Sequence, residues 1–246
     1  MTKAEIQFVR SLADKQVRDT ERLFIAEGEK LIGEILESHL RIRQIYALEG
    51  VLQGRAEVVT PKEMERISQL KSASNCLAVV EQPRFTTPAA APATALSLAL
   101  DGVQNPGNLG TIIRLADWFG ISDIFCSEST ADCYNPKVVQ ATMGALARVR
   151  VHYVDDLTHI LSRLQAAGYP IYGTLLDGQS IYQTNAIPDK SKGIIVMGNE
   201  GNGISMSVRE TITHPILIPS FPANIPTSES LNVSIATAIV LAEFRR

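Results

Sequence analysis

Apolar and polar positions along this chain fall into short apolar runs of strand length, separated by stretches in which apolar residues return every three or four positions. Between residues 3 and 19, Ile6, Val9 and Leu12 stand at helical spacing among charged neighbours. The run 23–28 reads as a strand, and Leu31, Ile32, Ile35 and Leu36 give residues 29–38 one apolar helical face. Strands are predicted at 42–48, 56–60 and 77–82, with a short helix opened by Pro61 and running to Ile67. This first stretch is a small α/β unit of mixed order.

From residue 96 the pattern changes. Apolar runs at 96–103, 123–127, 148–154, 171–176, 193–198 and 215–220 alternate with helical patterns at 109–119, 136–146, 157–167, 206–213 and 231–244. Strands buried on both faces between crossover helices predict a mainly parallel α/β sheet. Ligands of such sheets bind beyond the carboxyl ends of the strands, which singles out the loops after Val103, Met197 and Ile218. Between the two patterns, Pro83, Pro88 and Pro92 stand among small residues and can continue neither a helix nor a central strand. The predicted organisation is a first domain at 1–83, a linker at 84–95 and a second domain at 96–246.

Composition narrows the function classes. Of 246 residues, 45% are hydrophobic and 20% charged, a globular mix and not a disordered one. No apolar run approaches the ~20 residues of a membrane span, and the first five residues lack the apolar core of a secretion signal. The expectation is a cytoplasmic protein that stays off membranes. Cys76, Cys126 and Cys133 are odd in number and lack CxxC spacing, so they read as reduced thiols, neither a disulfide framework nor a zinc site. His152, His159 and His214 are scattered, and no metal site is expected. A net charge of −3 excludes binding nucleic acid as a bulk polycation and leaves it only a local basic face.

Three loops concentrate the candidate chemistry. In the first, 101–110, a Pro-Gly turn leads into a helix that Asn108 is suited to cap. On that helix Ile112, Leu115, Ala116 and Phe119 share one stripe. Arg114 falls off the stripe with Trp118 four positions on, so it reads either as a surface arginine stacked on that ring or as a functional cation. The second loop, 197–205, holds Gly198, Gly201 and Gly203 around Glu200. It has neither the GxGxxG order of a dinucleotide site nor the GK[ST] of a P-loop, and its carboxylate would repel a phosphate. It suits a ligand with a cationic centre or hydroxyl groups. The third, 218–234, is proline-rich and returns as a last helix that is apolar almost all round, which predicts burial. Ser230, Asn232 and Ser234 would then lie at a buried helix start, where capping explains one of the three and the others need partners.

Together these loops resemble the three motifs of the SpoU (TrmH-like) branch of the SPOUT RNA methyltransferases. NPGNLGTIIRLADWFG is similar to motif one, IIVMGNEGNGIS to motif two, and IPS…SESLNVSIATAIVLAE to motif three; CYNPKVVQATMGAL is also similar to the family. The resemblance covers 96–246, and FIAEGEKLI and CLAVVEQP make the first eighty or so residues similar to an L30e-like substrate-binding domain. It implies a deep trefoil knot at the C-terminus, S-adenosylmethionine as methyl donor, and an obligate homodimer with composite active sites. By motif position, Gly198, Ile218 and Leu231 would bind the donor, with Asn199, Pro219 and Asn232 completing the pocket. Asn108, Arg114, Glu200, Ser230 and Asn232 would form the reaction site. The loop 220–229 departs from the family: it is longer than usual and has Phe221, Pro222 and Ala223 in place of a glycine.

The chemistry can be reasoned beside the resemblance. A ribose 2′-hydroxyl is scarcely ionised at neutral pH, so the protein must align oxygen, methyl and sulfur and help the proton leave. A guanidinium keeps its proton in proteins, which makes Arg114 a clamp on the neighbouring phosphate in preference to a base. DNA lacks the target hydroxyl, so the implied polymer is RNA, ribosomal in preference to transfer RNA because of the first domain. Arg10, Lys15, Arg18 and Arg22 are the candidate basic face. Two other readings compete: a catalytically silent RNA-binding or ribosome-assembly factor, and a nicotinamide-dependent dehydrogenase, the latter opposed by the missing GxGxxG.

Overall fold

A computed structural model describes residues 1–85, 95–183, 185–222, 228 and 230–246. Most of the predicted linker 84–95 and of the loop 220–229 lies outside the described residues. Two compact units emerge. One comprises Met1–Arg84 with Asp132–Arg148, the other Phe85–Ala131 with Val149–Arg246.

The first unit opens with α1 (Lys3–Ser11) and α2 (Lys15–Glu21), followed by β1 (Leu23–Glu27), α3 (Glu29–Leu36), β2 (Ile42–Ala47), β3 (Glu57–Val58), α4 (Pro61–Ile67) and β4 (Cys76–Glu81). The helical spacing read across 3–19 is split in two. Asp14 accepts a hydrogen bond from the Gln16 N–H at 2.7 Å and starts a second helix, so the chain turns between Leu12 and Asp14. Capping boxes, Thr2 with Glu5 and Thr60 with Glu63, fix the starts of α1 and α4. The sheet runs β1-β4-β2-β3, with β4 antiparallel to both neighbours. Its core gathers Ile6, Val9 and Leu12 of the first helical stretch against Leu23, Ile25, Met64, Ile67, Leu77 and Val79. The predicted strand 56–60 shrinks to two exposed residues at the sheet edge.

The second unit contains β5 (Leu96–Asp101), α5 (Pro106–Trp118) and β6 (Asp123–Ser127). The chain then leaves for α6 (Pro136–Thr142) and a 3₁₀ turn (Ala145–Ala147) of the first unit. It returns as β7 (Arg150–Val154), α7 (Leu157–Ala166), β8 (Ile171–Ser180), β9 (Gly193–Gly198), α8 (Met206–Arg209), β10 (His214–Leu217) and α9 (Val233–Phe244). The six strands form the expected parallel α/β sheet, in the order β10-β8-β9-β5-β6-β7, with every pairing parallel. Ala99, Phe125, Leu161, Ile171, Ile194 and Val196 form its core.

Helix ends differ from the periodicity in instructive ways. The pattern at 136–146 breaks because Met143 and Gly144 are left-handed, at φ 52° and 98°. The pattern at 206–213 yields only the four residues of α8. The last helix starts at Val233, and it is not buried all round: Val233, Thr237, Val240, Leu241 and Phe244 face inward while Ile235 remains 53% exposed. Hydropathy counts apolar residues, but burial needs a neighbour, and α9 packs on α5 and β9 along one side only. Cys76, Cys126 and Cys133 are buried and none is in a disulfide.

Candidate active site

Strands β5 and β9 pair in register so that Asp101 lies opposite Gly198, and the first two candidate loops leave the sheet side by side. Asp101 ties them together by accepting the Ser205 N–H at 2.7 Å. Asn199 folds the second loop back on itself. Its backbone exchanges hydrogen bonds of 2.9 and 3.0 Å with Gly203. Its side-chain oxygen accepts from Gly201 and Asn202, and its nitrogen donates to the Gly102 carbonyl at 2.7 Å. Gly198 is required for a steric reason: a Cβ there would lie 2.3 Å from the Gly203 carbonyl carbon.

The expected cap is corrected by one turn. Asn105, not Asn108, starts α5, accepting from the N–H groups of Gly107 and Asn108 at 2.8 and 3.1 Å. Pro106 takes the first helical position, where a missing N–H costs nothing. The Asn108 side chain is thereby released toward other partners. It donates to Glu200 Oε1 at 2.8 Å, and its oxygen accepts from Asn232 Nδ2 at 3.1 Å. Asn232 is itself the cap of α9, its oxygen accepting from the N–H groups of Ser234 and Ile235 and from the Ser234 hydroxyl. Three predicted residues from three loops thus form one hydrogen-bonded run, Asn232–Asn108–Glu200.

The remaining predicted residues are placed as follows. Leu231 precedes Asn232 and is 51% exposed; it does not begin a buried helix, and neither does Ser230, which is exposed and makes no hydrogen bond among the described residues. Ile218, half-buried, and Pro219, exposed, follow the carboxyl end of β10. Only β8 separates β10 from β9, so Ile218 and Gly198 lie on or follow strands two places apart in one sheet. Arg114 is exposed two turns along α5 and makes no hydrogen bond or ion pair with any described residue; it is not stacked on Trp118, itself 83% exposed. Arg18, read as part of a basic face, is buried instead, while Arg10, Lys15 and Arg22 are exposed.

Sequence reasoning missed Asp101 and Asn105. An acidic residue at a strand end before glycine, and an asparagine directly before proline, were the available signals. The described parts of the three loops carry two carboxylates, Asp101 and Glu200, with amides and exposed apolar side chains but no lysine or arginine. That donor set suits a ligand with a cationic centre or hydroxyl groups better than a polyphosphate. Among the described residues no group of three or more His, Cys, Asp or Glu could hold a metal ion.

Comparison with known proteins gives a consistent result. Residues 95–242 match the model of the SpoU rRNA methylase family, and residues 3–83 that of an MRM3-like substrate-binding domain. The chain is 30% identical to the 23S rRNA (guanosine(2553)-2'-O)-methyltransferase RlmP of Bacillus subtilis, over 96% of this chain and 94% of that one. It is 36% identical to the 23S rRNA (guanosine-2'-O-)-methyltransferase RlmB of Neisseria meningitidis, over 61% of this chain and 58% of the relative. A protein of the TrmH family from Porphyromonas gingivalis superposes with a TM-score of 0.87 at 40% identity, covering 100% of this chain and 98% of its own. An AdoMet-bound rRNA methyltransferase from Sinorhizobium meliloti does so with a TM-score of 0.84 at 29% identity, covering 100% and 95%.

Proposed function

The chain belongs to the SpoU rRNA methylase family, and from that membership we propose that it methylates a ribose 2′-hydroxyl of 23S ribosomal RNA, with S-adenosylmethionine as donor. The observation that carries this reading is the run Asn232–Asn108–Glu200 beside the folded glycine loop at the ends of β5 and β9. The bound donor supplies a methyl group on a sulfonium, which is already a good leaving group. The work left to the protein is alignment and proton removal.

Gly198, Ile218 and Leu231 hold the donor, largely through backbone and apolar contact, with Asn199, Pro219 and Asn232 closing the pocket. The residues fit it: the loops offer no cation to repel the sulfonium, and the Glu200 carboxylate favours it. Glu200 uses one carboxylate oxygen on Asn108 among the described residues, and the other is available to orient the ribose hydroxyl. Arg114 grips the phosphate beside the target ribose, and Ser230 completes the reaction site. The domain at 96–246 carries this chemistry, 1–83 recruits RNA, and 84–95 joins them.

The working form is a homodimer. Ile235 of α9 and Trp118 of α5 are large apolar side chains left exposed on two helices that pack together, the surface a second copy would cover. We assign the protein to the cytoplasm, where cysteines outside disulfides stay reduced. Among the described residues no helix is long and apolar enough to cross a membrane.

The test is tritium transfer from labelled donor to 23S RNA isolated from a strain lacking the gene, followed by mapping of the 2′-O-methyl mark. Incorporation into one nucleotide is expected. Donor binding without transfer to ribosomal or transfer RNA would reduce the protein to a silent RNA-binding factor.

A further inference from the structure

Ser234 lies outside the set of reaction residues, yet it touches the start of the hydrogen-bonded run. One atom of the Asn232 side chain faces three donors: the Ser234 N–H at 3.0 Å, the Ile235 N–H at 3.4 Å and the Ser234 hydroxyl at 2.7 Å. An amide nitrogen cannot accept from them, so this atom is the oxygen. The nitrogen then points at Asn108, 3.1 Å away, and must meet an oxygen there. That leaves the Asn108 nitrogen facing Glu200 at 2.8 Å. Each amide dictates the orientation of the next, and the direction of the run is set at its α9 end.

Of the three fixing contacts the hydroxyl makes the shortest, and Ser234 is only 6% exposed, so little water competes with it. We propose that Ser234 is a positioning residue for methyl transfer, locking the Asn232 amide and through it the orientation of Asn108 toward Glu200. This rests on the reading of the site as a methyltransferase centre. A flipped Asn232 would present its N–H groups to the helix start and its oxygen to the oxygen of Asn108. Asn108 would flip in turn and set its own oxygen against the Glu200 carboxylate. The two backbone N–H groups exclude that alternative, and the hydroxyl pins the amide in the position they select without touching any reacting atom.

Ser234→Ala deletes the hydroxyl and little else, and alanine is the better helix former at this second helical position, so the fold is retained. The expected result is a kcat lowered about threefold to tenfold, the range of one net hydrogen bond, with the KM for S-adenosylmethionine and the melting temperature unmoved. A double-mutant cycle supplies the readout that a structural role would not move. In an Asn108→Ala background the run is already cut, and Ser234→Ala should change kcat by less than about twofold. Wild-type kcat in the single variant, or the same fractional loss in both backgrounds, overturns the lock. Wild-type protein that transfers no methyl group at all overturns instead the functional reading on which the lock rests.

Discussion

Arg18 and Asp132 form an ion pair inside the first unit, Nη2 to Oδ2 at 2.6 Å, although 114 positions separate them in the chain. The same guanidinium donates through Nη1 to the carbonyls of Leu12 and Ala13, where α1 ends. One buried cation therefore closes a helix terminus and fastens a segment that the chain sends out from its parallel sheet. The Tyr134 ring packs at a tilt on Phe24, centroids 5.0 Å apart, and Arg148 pairs with Glu34, toward either end of that segment.

Removing the acid should be costly. In Asp132→Asn the Arg18 guanidinium stays buried without its counter-charge, and breaking a buried pair on one side costs about 3 kcal/mol or more. Urea unfolding read by circular dichroism is expected to show that loss, and a smaller one when Arg18→Met is added, since the orphaned charge is then gone.

Asp123, at the start of β6, gives a pH dependence of known sign. Burial raises its pKa, but hydrogen bonds from Arg150 at 2.7 and 2.6 Å and contact with His152 at 2.8 Å outweigh this and leave it below the ordinary carboxylate value. A depressed pKa contributes stability that is present above the unfolded-state value, roughly 3.9, and lost as the pH falls through the folded one. Asp123→Asn should thus unfold more readily than the wild type at pH 7. The difference between the two proteins should begin to close below about pH 4, as followed by melting temperatures across pH 3 to 7.

Arg114→Lys tests the clamp. Lysine keeps the charge but loses the planar fork that grips a phosphate through two donors. The expected outcome is transfer to RNA reduced at least about tenfold, with donor binding by calorimetry unchanged because Arg114 makes no hydrogen bond or ion pair with the described residues of the glycine loop. Near-normal turnover would remove Arg114 from the phosphate.

Much of this architecture was written in the apolar pattern. The central strands β9, β5 and β6 are buried on both faces, so each appears as a continuous apolar run, and the strand ends pointed to the loops that meet in the run Asn232–Asn108–Glu200. What depended on partners far along the chain was not visible. Arg18 looks like any surface arginine until Asp132 is brought to it. Asn105 and Asn108 are equally good caps by chemistry, and the proline between them decides. Ser230, Asn232 and Ser234 presented a surplus of polar groups at a helix start; which of them serve one another depends on side-chain directions that no spacing rule carries. The apolar circumference of α9 predicted full burial because composition does not count neighbours.

Gly198 and Gly203, at the two ends of the folded loop, should respond differently to alanine. At Gly198 the added methyl group meets backbone on the far side of the loop, at 2.3 Å from the Gly203 carbonyl carbon and 2.4 Å from the Ile204 nitrogen. Neither can swing aside as a side chain could, so the hydrogen-bonded closure between Asn199 and Gly203 must open and carry Glu200 with it. At Gly203 the space is empty, and only the left-handed backbone, φ 69°, resists. Gly203→Ala should therefore cost about 1 kcal/mol of stability and leave donor affinity within a factor of about three. Gly198→Ala should lower donor affinity by tenfold or more, roughly the effect of about 1.4 kcal/mol or greater, and destabilise the second unit further by overpacking. Calorimetric titration and thermal melting of the two variants side by side would check the contrast; equal effects would mean that close backbone approach at Gly198 is not what shapes the loop.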